Sequence, residues 1–442
     1  MAGADGFFRV EKRHERWWLI APDGKPFISR GVDTVKREAD HGRAALPRSY
    51  PQTVDRKYGS LGAWQEAAAK RLLDWNFNTL GCWSDEALAR VEHGGRRLAY
   101  SGTLNIGAQF VARQSPDGRA NAWLQGLFPD VFHPAFAETA REIALQQCAP
   151  VKDDPLLLGW FTDNELHWEP DWMEEYKDGM LSRYLKLPGG VPGRRAAVGM
   201  LQERYGEFAE FEAVWRTGRS CFEDLETGDA VAVPFPRHWE SERPADPAQA
   251  ARWDAFMEDS AGFLTQVADR YFRTCTEAVR AADPNHLIMG PRFAIVPAEP
   301  VVAMAGKYLD VISFNCYEFD PTNVIKQYEV FQRPLIIGEF SFRGQDSGLP
   351  NTRGAGPRVP DQRARADAFE DYVRVALGRP NVVGYHWFEH ADQPKEGRAD
   401  GENSNYGVVN IEDEVYVELT ERMTQVNAEA EAIHAGRQRR RP

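Results

Sequence analysis

The chain has 442 residues, with 53 basic against 66 acidic side chains and a formal net charge of −13 at pH 7. A surface of that sign repels phosphate backbones and anionic lipid, which argues against nucleic-acid and membrane binding. The content of 43% apolar, 12% aromatic and 27% charged residues is typical of a folded globular chain and excludes disordered and collagen-like classes.

Short apolar runs alternate with helix-length periodic segments almost from end to end, which predicts a parallel sheet with crossover helices. The strand candidates are residues 27–35, 77–83, 98–106, 156–161, 286–290, 311–315, 335–338 and 382–387. Between them lie helix candidates such as 62–75, 134–147, 250–282 and 361–377. Eight such units predict a (β/α)8 TIM barrel, a fold that accommodates this length in one catalytic domain over 27–436.

Three segments fall outside the repeating pattern. Residues 1–26 predict a small hairpin that packs on the barrel floor, with a turn at Pro22, Asp23 and Gly24. Residues 166–253, between strands four and five, are longer than a barrel loop needs and predict a helical insertion around a site. Residues 437–442 form a basic tail, which we expect to be frayed.

The five cysteines, at positions 82, 148, 221, 275 and 316, include no CxxC pair. Their odd number and wide spacing predict buried free thiols rather than a disulfide framework or a zinc knuckle. No apolar run approaches the roughly 18 residues of a membrane span, and no basic region followed by an apolar stretch opens the sequence. We expect a cytoplasmic protein; secretion stays open if a signal was removed, as does assembly into a homo-oligomer.

Two glutamates stand where a barrel carries its chemistry, directly after strands four and seven. Glu165 follows the apolar run at 156–161, and Glu339 follows the run at 335–338. Either one alone is also consistent with an ordinary loop acid. The pair, with Asn164 directly before Glu165, predicts two carboxyl groups on opposite sides of one pocket.

Two such carboxyl groups are what a glycosidase needs, one protonated to assist the leaving oxygen and one ionised to attack the anomeric carbon. A separation of about 5 to 5.5 Å would imply retention, and about 6.5 to 9.5 Å would leave room for an inverting water. Aromatic residues near the strand ends, Trp83, Trp387 and Trp168, favour a carbohydrate ligand because sugar rings stack on indoles. Any one of the three is also consistent with the core.

A series of short motifs identifies a family resemblance. The motifs are Asp-Asn-Glu at 163–165, Gly-Glu-Phe at 338–340, His-Trp-Phe at 386–388, Asp-Gln-Pro at 392–394 and Gly-Glu-Asn at 401–403. Together they resemble the β-agarases of glycoside hydrolase family 50, within a large clan of retaining (β/α)8 glycosidases. The similarity extends over 29–35 and 78–85, from the first strand to the last.

The resemblance implies a role for each matching residue. Glu165 is expected to be the acid/base and Glu339 the nucleophile of a double displacement on β-linked galactose-containing saccharides. The expected substrate-binding residues are Asn164, Tyr317, His386, Trp387, Trp83, Asp33, Gln393 and Glu402. Tyr317 is expected to donate its hydroxyl to the nucleophile. No cofactor or metal is expected, and the expected partner is a β-galactoside or an agar-derived oligosaccharide.

Some features depart from the family pattern. Arg30 stands where a small or neutral residue is expected and Glu389 where Gln is expected, and a further N-terminal carbohydrate-binding-like region is missing. A β-galactosidase acting on small galactosides and a catalytically inactive sugar-binding barrel therefore stay open. A metal-dependent barrel is a further rival, because four histidines lie near strand ends, but neither HxH nor HExxH spacing occurs. These histidines are His133, His167, His386 and His390.

The loop at 393–407 and the insertion after strand four are both expected to rise from the catalytic face. Together they should close one end of the cleft, which predicts exo action at a chain terminus. Glu389 and Glu402 beside the cleft would repel sulfated sugars, unless Arg30, Arg343 and Arg398 point inward and offset that charge.

Overall fold

Eight short parallel strands form the ring at the centre of the structure, a computed structural model that describes residues 6–39, 49–173, 178–235 and 242–436. In chain order, β1 to β8 are Ser29–Val32, Thr79–Leu80, Ala99–Thr103, Leu157–Phe161, Leu287–Gly290, Ile312–Asn315, Leu335–Phe340 and Val382–Trp387. Each lies inside or overlaps its predicted run. The predicted TIM barrel is confirmed.

The ring closes at the carboxyl ends of its strands. Strands pair in the order β5-β4-β3-β2-β1-β8-β7-β6, which leaves β5 and β6 to be joined. They are joined beyond the end of β5, where Phe293 forms a parallel bridge with Phe314. The Phe293 amide donates to the Ser313 carbonyl at 3.1 Å, and the Asn315 amide donates to the Phe293 carbonyl at 2.8 Å. The segment that closes the barrel thus lies at the carboxyl ends of the strands.

Helices surround this ring in the expected alternation. Those of the barrel are Tyr50–Tyr58, Leu61–Asp74, Ile106–Gln114, Ala122–Gln125, Pro134–Gln147, Pro247–Ala282, Glu299–Tyr308, Thr322–Glu329, Gln362–Gly378 and Val417–His434. After β2 the chain makes only the 3-10 turn Glu86–Arg90, with Asp85 as its N-cap. Further 3-10 turns are Ala149–Val151 and Gln345–Ser347, and Arg343–Gly344 pairs with Arg358–Val359 as a two-stranded sheet. No described helix is long and apolar enough to cross a membrane.

The segment after β4 is helical where it is described. It contains Met180–Leu185, Pro192–Tyr205, Phe208–Trp215 and Phe222–Thr227. Aromatic packing holds it to the barrel: Trp215 stacks on Phe211 at 5.2 Å between ring centroids and meets Phe256 of the long helix edge-on at 5.4 Å. The long helix begins at Pro247, within the expected insertion, because Asp246 caps it by accepting from the Gln249 amide.

The N-terminal segment packs on the barrel floor. Its strands are Arg9–Arg13, Arg16–Ile20 and Pro26–Phe27, joined as an antiparallel sheet. Phe8 and Leu19 are buried in one cluster with the barrel-interior side chains Leu158, Met289 and Ile336. This apolar plug fills the end of the barrel opposite the loops that follow the strands. The expected basic tail at 437–442 lies outside the described residues.

All five cysteines are free thiols. Four are buried, but Cys221 is exposed, so the expectation of five buried thiols is wrong at that position. Cys221 is the N-cap of the short helix Phe222–Thr227, and its own side chain makes no capping hydrogen bond.

Candidate active site

Both glutamates face one cleft at the carboxyl ends of the strands. Two adjoining cavities, of about 440 and 770 Å³, share five lining residues, which are Trp123, Glu165, Glu339, Phe388 and Arg398. These volumes lie in the range of ligand sites. The smaller cavity extends toward the loops after β1 to β3, and the larger one toward the loops after β5 to β7. The carboxyl groups therefore stand where the two arms of the cleft meet.

The Glu165 carboxyl group is held by two hydrogen bonds. The Asn315 side-chain amide donates to Oε1 at 2.7 Å, and the Trp123 indole N–H donates to Oε2 at 2.8 Å. Burial, and next the nearby charge of Glu339, raise the pKa of Glu165 to about 7, although both hydrogen bonds act in the opposite direction. Glu165 can therefore carry a proton near neutral pH and release it there.

Glu339 lies in a different electrostatic environment. The Tyr317 hydroxyl donates to Oε2 at 2.6 Å, and Nη1 of Arg292 lies 3.0 Å from Oε1. Burial, and next the charge of Glu339, raise the pKa of Tyr317 well above its usual range, so this hydroxyl stays a proton donor. A guanidinium and a hydroxyl donor both stabilise negative charge on the carboxylate. The arrangement suits an ionised nucleophile.

Three residues at this site have left-handed backbone conformations. Glu165, Trp83 and Arg292 have φ of 50°, 60° and 45°. For non-glycine residues such conformations cost about 1 to 3 kcal/mol and persist only where the surrounding structure holds them. Packing and hydrogen bonding around the cleft therefore outweigh local backbone preference at these positions.

No protein-family model matches the chain, but searches of known proteins and solved structures found similar ones. The chain is 29% identical over 473 aligned positions to β-agarase A of Vibrio sp. (strain JT0107), covering 93% of this chain and 44% of that protein. Its fold matches a solved exo-β-agarase with a TM-score of 0.79 and 25% identity, over 98% of this chain and 66% of that one. It matches PfGH50B with a TM-score of 0.78 and 25% identity, over 98% and 67%. The chain is similar to β-agarases of glycoside hydrolase family 50.

The family resemblance seen in the sequence is thus confirmed. The chain spans less than half the length of the Vibrio β-agarase that it matches.

Four of the expected substrate-binding residues in this family 50-like chain line the cleft. Asn164 and Trp83 line the smaller cavity, and Tyr317 and Glu402 line the larger one. The amide oxygen of Asn164 accepts from Nη1 of Arg292 at 3.0 Å.

The other four expected binding residues line neither cavity, and their contact with substrate stays a prediction. Asp33, His386, Trp387 and Gln393 are buried, with exposed fractions of 0%. Asp33 accepts from the Cys82 amide and from Arg292, both at 2.8 Å. Gln393 donates to Glu402 at 2.9 Å, which orders the loop after β8. Gln393 thus contacts a residue that lines the cleft, whereas Asp33 contacts Arg292, which is itself buried.

His386 is fixed by a chain of hydroxyl groups. Thr79 donates to the Asn78 side chain, Ser29 donates to Thr79, and the ring Nε2 of His386 lies 2.9 Å from the Ser29 oxygen. Because the Ser29 proton is used, His386 carries its proton on Nε2. Burial, and next the charge of Arg292, lower the pKa of His386 to about 3, so the ring is neutral.

Trp387 belongs to the core between β8 and its neighbours. Its ring meets Phe340 edge-on at 5.4 Å, and its indole N–H donates to the Tyr406 carbonyl at 2.8 Å. The next residue, Phe388, lines both cavities instead. Side chains alternate sides along a strand, so Trp387 faces the core while Phe388, one position later, faces the cleft.

The charges expected around the cleft differ from their predicted placement. Arg30 points away from it and pairs with Glu431 at 2.5 Å, while Arg343 donates to the Gly356 carbonyl. Glu389 is fully buried rather than beside the cleft. Arg398 lines both cavities, but it pairs with Asp400 at 2.8 Å and with Glu402 at 2.9 Å. Its charge is therefore offset by its own loop.

Four residues of the site were not predicted: Trp123, Trp172, Asn315 and Arg292. Trp172 lines the larger cavity and packs against Trp123 at 5.4 Å between ring centroids. Asn315 and Arg292 lie at or just after the ends of β6 and β5, so the rule that identified the glutamates could also have found them. Trp123 lies on the one-turn helix Ala122–Gln125 and Trp172 on the loop after β4, and no periodic signal marks either residue. Across the described ranges, no group of three or more His, Cys, Asp or Glu could hold a metal ion.

Proposed function

We propose that the chain is a glycoside hydrolase that cleaves β-linked galactose-containing saccharides of the agar type with retention of configuration. The observation that carries the proposal is the contrast between two carboxyl groups in one cleft. Glu165 has a pKa raised to about 7, whereas Glu339 lies 3.0 Å from a guanidinium. Carboxyl groups kept in unlike environments are what a paired acid and nucleophile require. Similarity to β-agarases supports the substrate class.

The reaction follows from these positions. In the first step the Glu339 carboxylate attacks the anomeric carbon, while Glu165 donates its proton to the departing glycosidic oxygen. In the second step the Glu165 carboxylate takes a proton from water, whose oxygen attacks the anomeric carbon and releases Glu339. Tyr317 stabilises Glu339 as it regains its charge.

We also propose exo action, with release of a short product from a chain end. Side chains from three loops meet beside the carboxyl groups: Trp123 after β3, Trp172 after β4 and Arg398 after β8. The Arg398 guanidinium lies 6.0 Å from the centre of the Trp123 ring and 5.8 Å from that of Phe388. We infer that these bulky groups, which lie together beside the carboxyl groups, restrict entry to a chain end. Glu402 on the larger side disfavours sulfated sugars.

The test is a screen of synthetic β-galactosides, agar oligosaccharides and agarose, with product sizing and determination of the anomer first released. The expected result is one short product of retained configuration from the earliest time points. The Glu339→Gln variant should keep its thermal unfolding curve and lose turnover, because an amide cannot attack the anomeric carbon. Glu396→Gln, an exposed acid in the loop after β8, is the matched control.

Other outcomes select the alternatives. A ladder of intermediate sizes at once would contradict exo action. Inversion would contradict the double displacement. Turnover of small galactosides alone would indicate a β-galactosidase. Saccharide binding measured by calorimetry, without turnover of any substrate, would indicate a sugar-binding barrel.

A further inference from the structure

Arg292, just after β5, is bonded to residues of three other strands or the loops that follow them. Its Nη2 donates to Asp33 Oδ2 at 2.8 Å and to the Gly338 carbonyl at 2.7 Å. Its Nη1 donates to Asn164 and lies 3.0 Å from Glu339. The side chain is fully buried. One guanidinium thus bridges the proposed nucleophile and the residue that precedes the proposed acid.

Rings and glycines fix the guanidinium in place. It lies 4.7 Å from the ring centre of Trp83 and 5.3 Å from that of Phe161. A Cβ at Gly338 would lie 2.8 Å from Arg292 Nε, and a Cβ at Gly81 would lie 1.9 Å from Asp33 Oδ1. Both glycines belong to stretches that resemble family 50. Their lack of a side chain makes room for the Asp33–Arg292 pair.

Asp33 lines neither of the two cavities of the cleft. Its side chain is fully buried, and each oxygen accepts one hydrogen bond, from Cys82 and from Arg292. Burial, chiefly, raises the pKa of Asp33, against the lowering effect of Arg292. An Asn at this position offers one acceptor oxygen to two donors, so it would break one of the two bonds whatever the charge of Asp33.

We propose that Arg292 is a catalytic residue that orients the Glu339 carboxylate and stabilises its charge, and that Asp33 is a positioning residue acting through Arg292. The inference rests on the proposed function. In the first step Glu339 loses its negative charge as it bonds to the sugar, and in the second it regains that charge as the bond breaks. A fixed cation 3.0 Å away keeps the carboxylate aimed before attack and stabilises it on release.

The experiment compares the wild type with Arg292→Met, Arg292→Lys, Asp33→Asn and the double variant Arg292→Met/Asp33→Asn. For each, kcat and KM are measured across pH, together with the rate at which an activated 2-deoxy-2-fluoro-galactoside labels Glu339. Loss of one such preorganised contact typically costs 10²- to 10³-fold, so kcat of Arg292→Met should fall by about that factor with little change in KM. The kcat of Arg292→Lys should fall by a smaller factor, because lysine keeps the positive charge but not the planar arrangement of several N–H donors.

The pH profile and the double variant separate this role from a purely structural one. The charged or titratable groups that face Glu339 are Asp33, Cys82, Glu165, Tyr317 and Glu402, besides Arg292. Arg398 also lines both cavities with Glu339 but pairs with Asp400 and Glu402, so Arg292 is the cation in contact with the Glu339 carboxylate. Removing Arg292 should move the acidic limb of kcat/KM to higher pH. Asp33→Asn should lower kcat about tenfold alone and add almost nothing to Arg292→Met, since it acts through that residue.

Arg365→Met is the matched control. Arg365 is also fully buried and donates to the Phe342 and Gly407 carbonyls, without a hydrogen bond to either glutamate. Its loss should lower thermal stability and leave the acidic limb in place. If the wild-type protein neither hydrolyses any of the saccharides nor is labelled by the fluoro-galactoside, the proposed function is overturned.

If the wild type is active and a folded Arg292→Met variant keeps the wild-type kcat and pH profile, this inference is overturned while the proposed function stands. If Arg292→Met does not fold, Asp33→Asn and Arg292→Lys decide: wild-type kcat in both would contradict the role.

Discussion

Trp123 should set the pH at which the proposed acid loses its proton. Its indole N–H donates to Glu165 Oε2 at 2.8 Å and so stabilises the carboxylate form. The variant Trp123→Phe keeps an aromatic ring in the cleft but removes this donor. The pKa of Glu165, about 7 in the intact site, should then rise, because burial and Glu339 are opposed by one hydrogen bond fewer.

The expected size of the pKa shift of Glu165 follows from the free energy of its hydrogen bond with Trp123. A hydrogen bond to a charged group contributes about 1.5 to 3 kcal/mol, and part of it persists when Glu165 is protonated. With 1.36 kcal/mol per pKa unit, the expected rise is about one unit. Because the first step requires protonated Glu165, the basic limb of kcat/KM should move up by about one pH unit. The maximal rate should fall severalfold, since a weaker acid protonates the leaving oxygen less readily.

The assay is the pH dependence of kcat/KM on one β-galactoside or agar oligosaccharide that the wild type turns over. Trp215→Phe is the matched control, because its indole also donates to a buried carboxylate, Asp259, at 2.8 Å, but in the helical segment after β4. The Trp215→Phe variant should be less stable, and the basic limb of its kcat/KM profile should stay at the wild-type pH. An unmoved limb in a folded Trp123→Phe would refute the reasoning about Glu165.

Three more predictions follow from other contacts. Glu165→Gln should slow hydrolysis of substrates with poor leaving groups far more than labelling by an activated aryl glycoside, and equal losses would contradict an acid role. Trp387→Phe should lower the unfolding temperature without raising KM, whereas Trp83→Ala should raise KM severalfold, since only Trp83 lines the cleft. Asp413 pairs with Arg71 and Lys57, both at 2.8 Å, so Asp413→Asn should cost about 3 kcal/mol in chemical denaturation. Burial raises the pKa of Asp413, but these cations outweigh it and hold that pKa below its usual value, so wild-type stability should fall with pH below about 4, and the variant should lack that part of the slope.

The barrel and the pair of glutamates were predictable from the sequence because both depend on order along the chain. A parallel strand buried on both faces reads as an apolar run, and the barrel places whatever follows each run on one face of the molecule. Glu165 and Glu339 follow two such runs, so their approach across 174 positions is a consequence of topology. Three motifs of the series lie at strand ends, and Asp-Gln-Pro and Gly-Glu-Asn lie in the loop after β8.

Which residues touch the cleft was decided only by the tertiary structure. Trp387 and Phe388 are adjacent in the sequence, yet one lies in the core and the other lines both cavities. Asp33 was expected to bind substrate, but it lines neither cavity and bonds to Arg292. A sequence names the side chains that come to a strand end. The direction in which each one points, and the partner it meets there, depend on the packing of strands far apart in the chain.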